Sequence, residues 1–526
     1  MFLIMSGSYV QSELNAEFGH IPPSFLPLGN KRLFQYQIKL APKGCKIYLS
    51  VPEDYTINAV DYDWLSKHRV ILLKTPCSLN VGQGLVACLN LIDEPINSSL
   101  HLLFGDTLFT KLPEGNDILA VSEVKSNYQW SSIDNNNIDW LTESKNSSNV
   151  VCGYFKFNEP RKLIRNITQE KWDFIKGIDR YKKENGLSQN QSTDWYDFGH
   201  VNTYYHSKAA FTTQRSFNEL TINPRFIEKS SFKSQKIKAE ANWFETLPTM
   251  MKSYTPQYLG HTETCEGKFS YRLEYLHNTA LNELFVFSEM PNIIWSNILE
   301  HCLNFIQDCN SEISPHQAIS QDINQLFSAK TLERLEEFKT TKNFSFSDKW
   351  IFNDDLSVSL EQILAESEKN LPSENKISTL MHGDFCFSNI LYDFRANRIK
   401  TIDPRGMTLS GDITIYGDIR YDLAKLSHSI LGMYDWIVAG YHQTSLDWQT
   451  KKIQFNISGE VKHKDTQSMF IVMVGQKYNL TPVNLYAMQL QLFLSMLPLH
   501  ADDPYRQEGL FANVFRLYQI MKRLEE

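Results

Sequence analysis

The stretch 382–424 constrains this 526-residue chain more than any other. It reads His382-Gly383-Asp384-Phe385-Cys386-Phe387-Ser388-Asn389, then Ile402-Asp403-Pro404-Arg405-Gly406, then Gly417-Asp418-Ile419-Arg420-Tyr421-Asp422-Leu423-Ala424. Asp384 and Asn389 lie five apart, and Asp403 follows fourteen residues later at the end of a short strand pattern over 399–402. Phosphoryl transfer from ATP needs little covalent help: a carboxylate to orient a hydroxyl, and oxygen ligands to hold magnesium against the phosphates. One Asp, one Asn and a second Asp supply these groups, provided the loop and the strand end meet. A coincidental Asp/Asn-rich loop is the bland alternative, and the ordered three-part pattern argues against it.

A chain of this length exceeds one ordinary core, so two or three domains are expected. With 42% hydrophobic and 21% charged residues it reads as globular, without collagenous or disordered bias. A net charge of −8 argues against general affinity for nucleic acid or anionic membranes, which need basic faces. Eight cysteines, at 45, 77, 88, 152, 265, 302, 309 and 386, form no Cys-x-x-Cys pair and no zinc spacing, which suits reduced thiols in the cytoplasm. The apolar start Met1–Met5 is broken by Ser6-Gly7-Ser8, so a buried first strand fits it better than a signal peptide. No run of 18 apolar residues occurs, so no membrane insertion is expected.

Over 1–110, strand patterns at 2–5, 46–51, 70–73 and 100–104 alternate with stretches able to hold crossover helices, which predicts a parallel sheet with helices on its faces. The Ser/Asn/Asp-rich segment 131–149 reads as a surface excursion, followed by a strand over 150–157. From about 216 the pattern changes: 226–229, 257–260 and 269–276 read as strands of a small mixed sheet, with a helix over 236–247. Helical spacing then dominates, at 293–308, 329–340, 360–369, 413–431 and 485–526. The expected division is 1–213, then 214–290 and 291–526 as two lobes of one domain.

The motifs carry two resemblances. The block 382–424 resembles the catalytic and metal-binding loops of the aminoglycoside phosphotransferase and choline kinase family, which has a protein-kinase-like fold. That resemblance implies Asp384 as catalytic base and Asn389 and Asp403 as metal ligands. In kinase-like folds a strand lysine contacts the α- and β-phosphates and pairs with a helix glutamate. Lys229 and Glu240, eleven residues apart, match that layout, and 271–276 resembles the adenine-binding strand and hinge. His382 then braces the loop and does no acid–base chemistry. Asp418 and Asp422, one helical turn apart, serve capping and bracing at least as readily as substrate contact. Tyr434, Trp436 and Tyr441 could line an acceptor pocket, but core packing is the commoner meaning. No acidic cluster for a cationic aminoglycoside is present.

The first half resembles the sugar-phosphate nucleotidyltransferases, which have a Rossmann-like α/β fold. The anchors are Ser6-Gly7-Ser8, the segment Pro22–Leu33, Gly82-Gln83-Gly84-Leu85, Phe104-Gly105-Asp106-Thr107, and Trp195-Tyr196-Asp197-Phe198-Gly199-His200. The resemblance implies that Gly7 wraps the triphosphate, that Gln83 and Gly84 meet the nucleotide, and that Asp106 and Asp197 hold magnesium. Two carboxylates are a sensible minimum, because magnesium keeps waters and takes further ligands from phosphate. Gln11 stands where the family has an arginine and Ser24 where it has a lysine; Lys31 and Arg32 lie nearby but out of register. Both departures remove positive charge where pyrophosphate leaves.

The expected fold class is therefore an α/β Rossmann-like nucleotidyltransferase domain followed by a protein-kinase-like α+β bilobal domain. The implied activity is phosphorylation of a sugar, polyol or amino alcohol by ATP, then transfer of a nucleotide, CTP favoured, to make an activated precursor of capsule or other surface polysaccharide. Magnesium is the implied cofactor, the partners are the nucleotides and a small acceptor, and a homo-oligomer is compatible with the reading. The competing readings are a kinase with a non-catalytic first domain and a scaffold pseudoenzyme.

Overall fold

The computed structural model describes residues 1–526 except 94, 97, 124–131, 135–136, 140–148, 216–219, 224, 233, 266, 316–324, 343, 375 and 409. The excursion expected over 131–149 therefore falls for the most part outside the described residues. The chain divides into two compact units, Met1–Thr212 with Phe287–Glu289, and Thr213–Val286 with Met290–Glu526.

The first unit is built on one sheet whose path runs Ser188–Gln191, Ile118–Glu123, Asn149–Phe157, Leu100–Phe104, Phe2–Met5, Ile47–Pro52 and Val70–Thr75. Phe2–Met5 sits centrally, parallel to both neighbours, and every one of its apolar side chains except Met5 is fully buried. The four strands expected over 1–110 are parallel to their neighbours among themselves, and the sheet becomes mixed only beyond them: Asn149–Phe157 runs antiparallel to Leu100–Phe104 and Ile118–Glu123. Between Leu100–Phe104 and Asn149–Phe157 the described residues hold strands and turns but no crossover helix, and a parallel return needs one. Leu85 and Leu89 of helix Val81–Asn90, Leu163 of Pro160–Gln169 and Ile178 of Phe174–Asn185 close the core over Leu3, Leu102, Phe155 and Phe157.

The second unit opens with strands Leu220–Ile222, Phe226–Ser231, Phe269–Glu274 and Tyr258–Glu263, beside helix Ser234–Thr246. All three pairings are antiparallel, a correction to the mixed sheet expected. A larger helical region follows, carried by Asn292–Ser311, Lys330–Lys342, Leu360–Lys369, Arg420–Ile430, Lys464–Tyr478, Pro482–Met496 and Pro504–Glu525. The helix expected over 413–431 starts only at Arg420, because Tyr416–Gly417 pairs with Thr379–Leu380 as a short strand. The sequence reading also missed a four-stranded sheet of Leu356–Ser359, Lys349–Phe352, Lys452–Ile457 and His442–Asp447 inside this region. Apolar residues at every second position of Lys452–Ile457 face inward there, a period of two where helices had been expected. The fold is thus an α/β domain followed by a two-lobed α+β domain. All eight cysteines are free. Among the described residues no helix is long and apolar enough to cross a membrane.

One buried charge in the helical lobe sets a measurable property. Asp435 is 5% exposed, its Oδ2 meets no partner among the described residues, and burial pushes its carboxyl up to about 7. A folded-state value above the unfolded one means that ionisation opposes folding, so this contribution is favourable at low pH and lost as pH rises toward 7. Asp435→Asn should therefore stabilise the protein by about 1–3 kcal/mol at pH 8, with no gain at pH 4. Chemical denaturation at the two pH values checks this.

Candidate active sites

In the second unit, a cavity of about 290 Å³ is lined by Lys229, Glu240, Asp384, Asn389 and Asp403, the five residues singled out there by the sequence. Lys229 lies on Phe226–Ser231 and Glu240 on Ser234–Thr246. The Lys229 ammonium meets Glu240 Oε2 at 2.8 Å and Asp403 Oδ1 at 3.2 Å. Glu240 is 1% exposed and also accepts from the Tyr271 hydroxyl at 2.8 Å, so its charge is held by two partners. Tyr271, expected only as part of a hinge strand, thereby fixes the glutamate.

The loop 382–389 is held from below. Asp422 accepts from the backbone N–H of His382 at 2.7 Å and of Gly383 at 2.8 Å. Burial lifts the Asp422 carboxyl to about 7, and the two backbone donors counter that rise. His382 is fully buried, which lowers its imidazole to about 4, and its Nε2 donates to the Ile402 carbonyl at 3.0 Å. It is a neutral brace between the loop and the end of strand Arg398–Thr401. Asn389 Nδ2 donates to the Asp384 carbonyl at 2.9 Å and to its Oδ2 at 3.1 Å. Asp403 takes a left-handed backbone (φ +56°), a costly geometry for a residue with a side chain and one that recurs at functional sites. Gly406 follows at φ +66°, where a Cβ would lie 2.2 Å from the Ala239 carbonyl oxygen. The loop can lie this close to helix Ser234–Thr246 only with glycine there.

Lys425, one residue past the motif block, was not foreseen. It lies 2.8 Å from Asp384 Oδ1. Burial alone would raise the Asp384 carboxyl; Lys425, with Arg405, reverses that and holds it well below the usual carboxylate range. Asp384 is therefore ionised, with one oxygen facing Asn389 and the other facing Lys425. Asp418 is spent on a buried ion pair with Arg420, and Trp436 and Tyr441 are core residues.

In the first unit, a smaller cavity of about 170 Å³ opens at the ends of the parallel strands. Gly7, Ser8, Asn80, Gly84, Gly105 and Asp106 line it. Gln83 does not: it closes the capping box of helix Val81–Asn90, exchanging hydrogen bonds of 2.9 and 3.1 Å with Asn80. Asp106 and Asp197 come together because Trp195–Asp197 pairs antiparallel with Thr107–Phe109, and Phe198 N–H donates to the Asp106 carbonyl at 2.8 Å. Asp106 lines the cavity and Asp197 does not, but the two carboxylates lie close together beside Gly199. A Cβ on Gly199 would lie 2.6 Å from Asp106 Oδ2 and 3.3 Å from Asp197 Oδ1. Burial, then the facing Asp197, pushes the Asp106 carboxyl up to about 6. His200 approaches Asp197 Oδ2 at 3.2 Å, and this contact raises its imidazole.

Ser24 is fully buried and ties this site together: its N–H donates to Ser6 Oγ at 3.0 Å and its hydroxyl to the Gly105 carbonyl at 3.2 Å. Arg32 does not replace the missing cation. It is 2% exposed, pairs with Asp61 at 3.3 Å and donates to the Phe25 carbonyl at 2.7 Å.

The donor sets suit a hard divalent ion. Both sites offer carboxylate or carboxamide oxygen, the class magnesium prefers. No cluster of three or more His, Cys, Asp or Glu side chains with metal-holding geometry forms among the described residues.

No family model matches the chain, and no curated protein matches it. Solved structures are similar to parts of it. A glucose-1-phosphate thymidylyltransferase from Bacillus anthracis is 16% identical, covering 41% of this chain and 96% of its own, with a TM-score of 0.33. The inositol-1-phosphate CTP transferase from T. maritima is 13% identical over 40% of this chain and 94% of its own, TM-score 0.31. An aminoglycoside phosphotransferase in complex with ADP and hygromycin B is 13% identical over 59% of this chain and 92% of its own, TM-score 0.37. At that remove the geometry, and not the likeness, assigns roles to side chains.

The repulsion between Asp106 and Asp197 predicts a gain from neutralising one of them. In chelator at pH 8, Asp106→Asn should raise the stability of the first unit by about 1 kcal/mol, since like charges disfavour ionisation. Thermal unfolding measures it, and an unchanged or lower midpoint would show that the pair carries no strain.

Proposed function

We propose that the second unit is a kinase that moves the γ-phosphoryl group of ATP onto a hydroxyl of a small molecule. The first unit then transfers a nucleotidyl group, from CTP or another nucleoside triphosphate, onto the phosphate so made. The observation that carries the reading is the convergence of Lys229, Glu240, Asp384, Asn389 and Asp403 on one cavity from separate stretches of the chain. The pairing of the two steps suits the making of a nucleotide-activated building block for a surface polysaccharide.

Asp384, ionised and fixed by Asn389 and Lys425, accepts a hydrogen bond from the acceptor hydroxyl and takes its proton as transfer proceeds. Asp422 and His382 keep that carboxylate in place by holding the loop backbone. Lys229, aimed by Glu240, neutralises phosphate oxygens of the nucleotide. Asn389 and Asp403 would hold magnesium, which when bound neutralises charge on the transferring phosphate. Catalysis is then positioning plus electrostatics.

In the first unit, Asp106 and Asp197 would hold magnesium, which would neutralise phosphate charge, with Gly7 and Gly84 leaving room for the triphosphate at the strand ends. A second reading also has an observation behind it. Among the described residues no lysine or arginine lines that cavity, and Arg32 is committed to Asp61. A first unit that binds a nucleotide without turning it over accounts for this.

Asp384→Asn should cut ATP-dependent phosphorylation by about a hundredfold or more while leaving nucleotide affinity near normal, because the base orients the hydroxyl but does not hold phosphate. Near-normal turnover would sink the assignment. Asp403→Ala should instead weaken magnesium–nucleotide binding, read by calorimetry. For the first unit, the phosphorylated acceptor is supplied with CTP and pyrophosphate release is followed. Asp106→Ala or Asp197→Ala should abolish release and spare the kinase step. Wild-type protein that consumes ATP yet releases no pyrophosphate with any nucleoside triphosphate establishes the non-catalytic reading.

A further inference from the structure

The kinase cavity holds more positive charge than the proposed phosphate and metal roles use. Lys330, Arg334, Arg405 and Lys425 all line it. Lys425 is matched by Asp384, whereas no ion pair among the described residues includes Lys330, Arg334 or Arg405. Arg334 donates to the Ser495 carbonyl at 2.9 Å, and Arg405 donates to the Tyr421 hydroxyl at 2.9 Å with its guanidinium 4.7 Å above the ring centroid. A guanidinium carries five N–H donors, so each has donors to spare. Burial first, then Arg405, Arg334 and Lys425, pushes the Lys330 ammonium down to about 8, against the gain from Tyr421. Lys330 is thus crowded by like charges, whereas Arg405 also lies within the field of Asp384 and Asp422, which favours its charge.

The excess lies on a definite side. One Asp384 oxygen faces Asn389 at 3.1 Å, toward Asp403 and Lys229. The other faces Lys425 at 2.8 Å, toward Arg405, Tyr421 and Lys330. The first side holds the residues given to nucleotide and metal, which leaves the second for the acceptor. His428 lines the same cavity, is 2% exposed, and its Nδ1 meets no partner among the described residues. The cavity thus contains a polar atom already stripped of water and two cations, Lys330 and Arg334, that no ion pair among the described residues includes.

We propose that the acceptor is an anionic hydroxyl compound, its carboxylate or phosphate held among Lys330, Arg334 and Arg405 while its hydroxyl reaches Asp384. The proposal rests on the kinase reading and narrows it. A cationic amino alcohol would be repelled, and a neutral polyol would leave the partly buried Lys330 and Arg334 without an acidic partner. In the transfer, the acceptor oxygen bonds to the γ-phosphorus and the bond from that phosphorus to the β-bridging oxygen breaks, its electron pair leaving with ADP. The hydroxyl proton passes to Asp384 and on to solvent.

The test uses the full-length protein with magnesium and ATP, and compares four acceptor sets by ADP release: neutral polyols, amino alcohols, hydroxy acids and polyol monophosphates. Turnover confined to the last two sets supports the proposal, and which of them works tells carboxylate from phosphate. For that acceptor, Lys330→Gln and Arg334→Gln should each raise KM by about tenfold or more, the loss of one charge-assisted contact, and leave the KM for ATP within about twofold. A rise in the KM for ATP instead would assign these cations to the nucleotide and overturn the proposal. So would best turnover of a neutral or cationic acceptor. Independently of any acceptor, calorimetry with the ADP-loaded protein should show inorganic phosphate or malonate binding that weakens about tenfold in the double variant. Binding of neither anion overturns the proposal. Failure of the kinase reading looks different: no magnesium-dependent ATP or ADP binding at all.

Discussion

The Asp422 carboxylate and the two backbone N–H groups it receives underlie everything in the second unit. A carboxylate stripped of water is costly unless hydrogen-bonded donors replace it. His382 and Gly383 supply those donors at 2.7 and 2.8 Å. The cost of burying Asp422 is thereby turned into rigidity of the loop that carries Asp384 and Asn389. From that fixed loop, His382 reaches the Ile402 carbonyl and sets the position of Asp403, and Asp403 meets Lys229. The sheet lysine, the helix glutamate and the two loop acids thus form one connected network, with Gly406 giving the close approach to Ala239 that the network needs.

The first unit gathers its charges by another route. A short antiparallel pairing brings Asp106 and Asp197 together beside Gly199, with His200 against Asp197 and no lysine or arginine among the described residues in the lining of the cavity that Asp106 meets. The two sites therefore differ in electrostatics: the first sets two carboxylates against one another with His200 beside them, and the second adds Lys330 and Arg334 to cations already paired with acids.

Much of this was legible in the sequence. Asp384, Asn389 and Asp403 stand in a fixed order of spacings, and the strand patterns at 2–5 and 100–104 coincide with the strands observed. The parts that were not legible depend on partners distant in the chain. Lys425 looks like any helix lysine until the fold sets it against Asp384, and Lys330 and Arg334 lie on a helix whose sequence reads as a solvated face. Gln83 looked like a nucleotide contact; the capping box with Asn80 claims it first, a local signature that the sequence did carry. The four-stranded sheet in the helical lobe escaped because its strands are short and its central pair, Lys349–Phe352 with Lys452–Ile457, is a hundred residues apart in sequence. Ser24 shows the reverse. Its identity marked a lost lysine, and only the structure shows it serving as a buried tie between Ser6 and Gly105.

The central claim is that the second unit positions the acceptor for direct attack on ATP, with Asp384 orienting a hydroxyl and forming no bond to phosphorus. The stereochemical course at phosphorus tests it most directly. ATP made chiral at the γ-phosphate with oxygen isotopes is turned over with the acceptor, and the configuration of the product phosphate is read by phosphorus NMR. A single in-line displacement predicts inversion. Net retention would mean two displacements through a phosphorylated side chain, and would contradict the role given to Asp384.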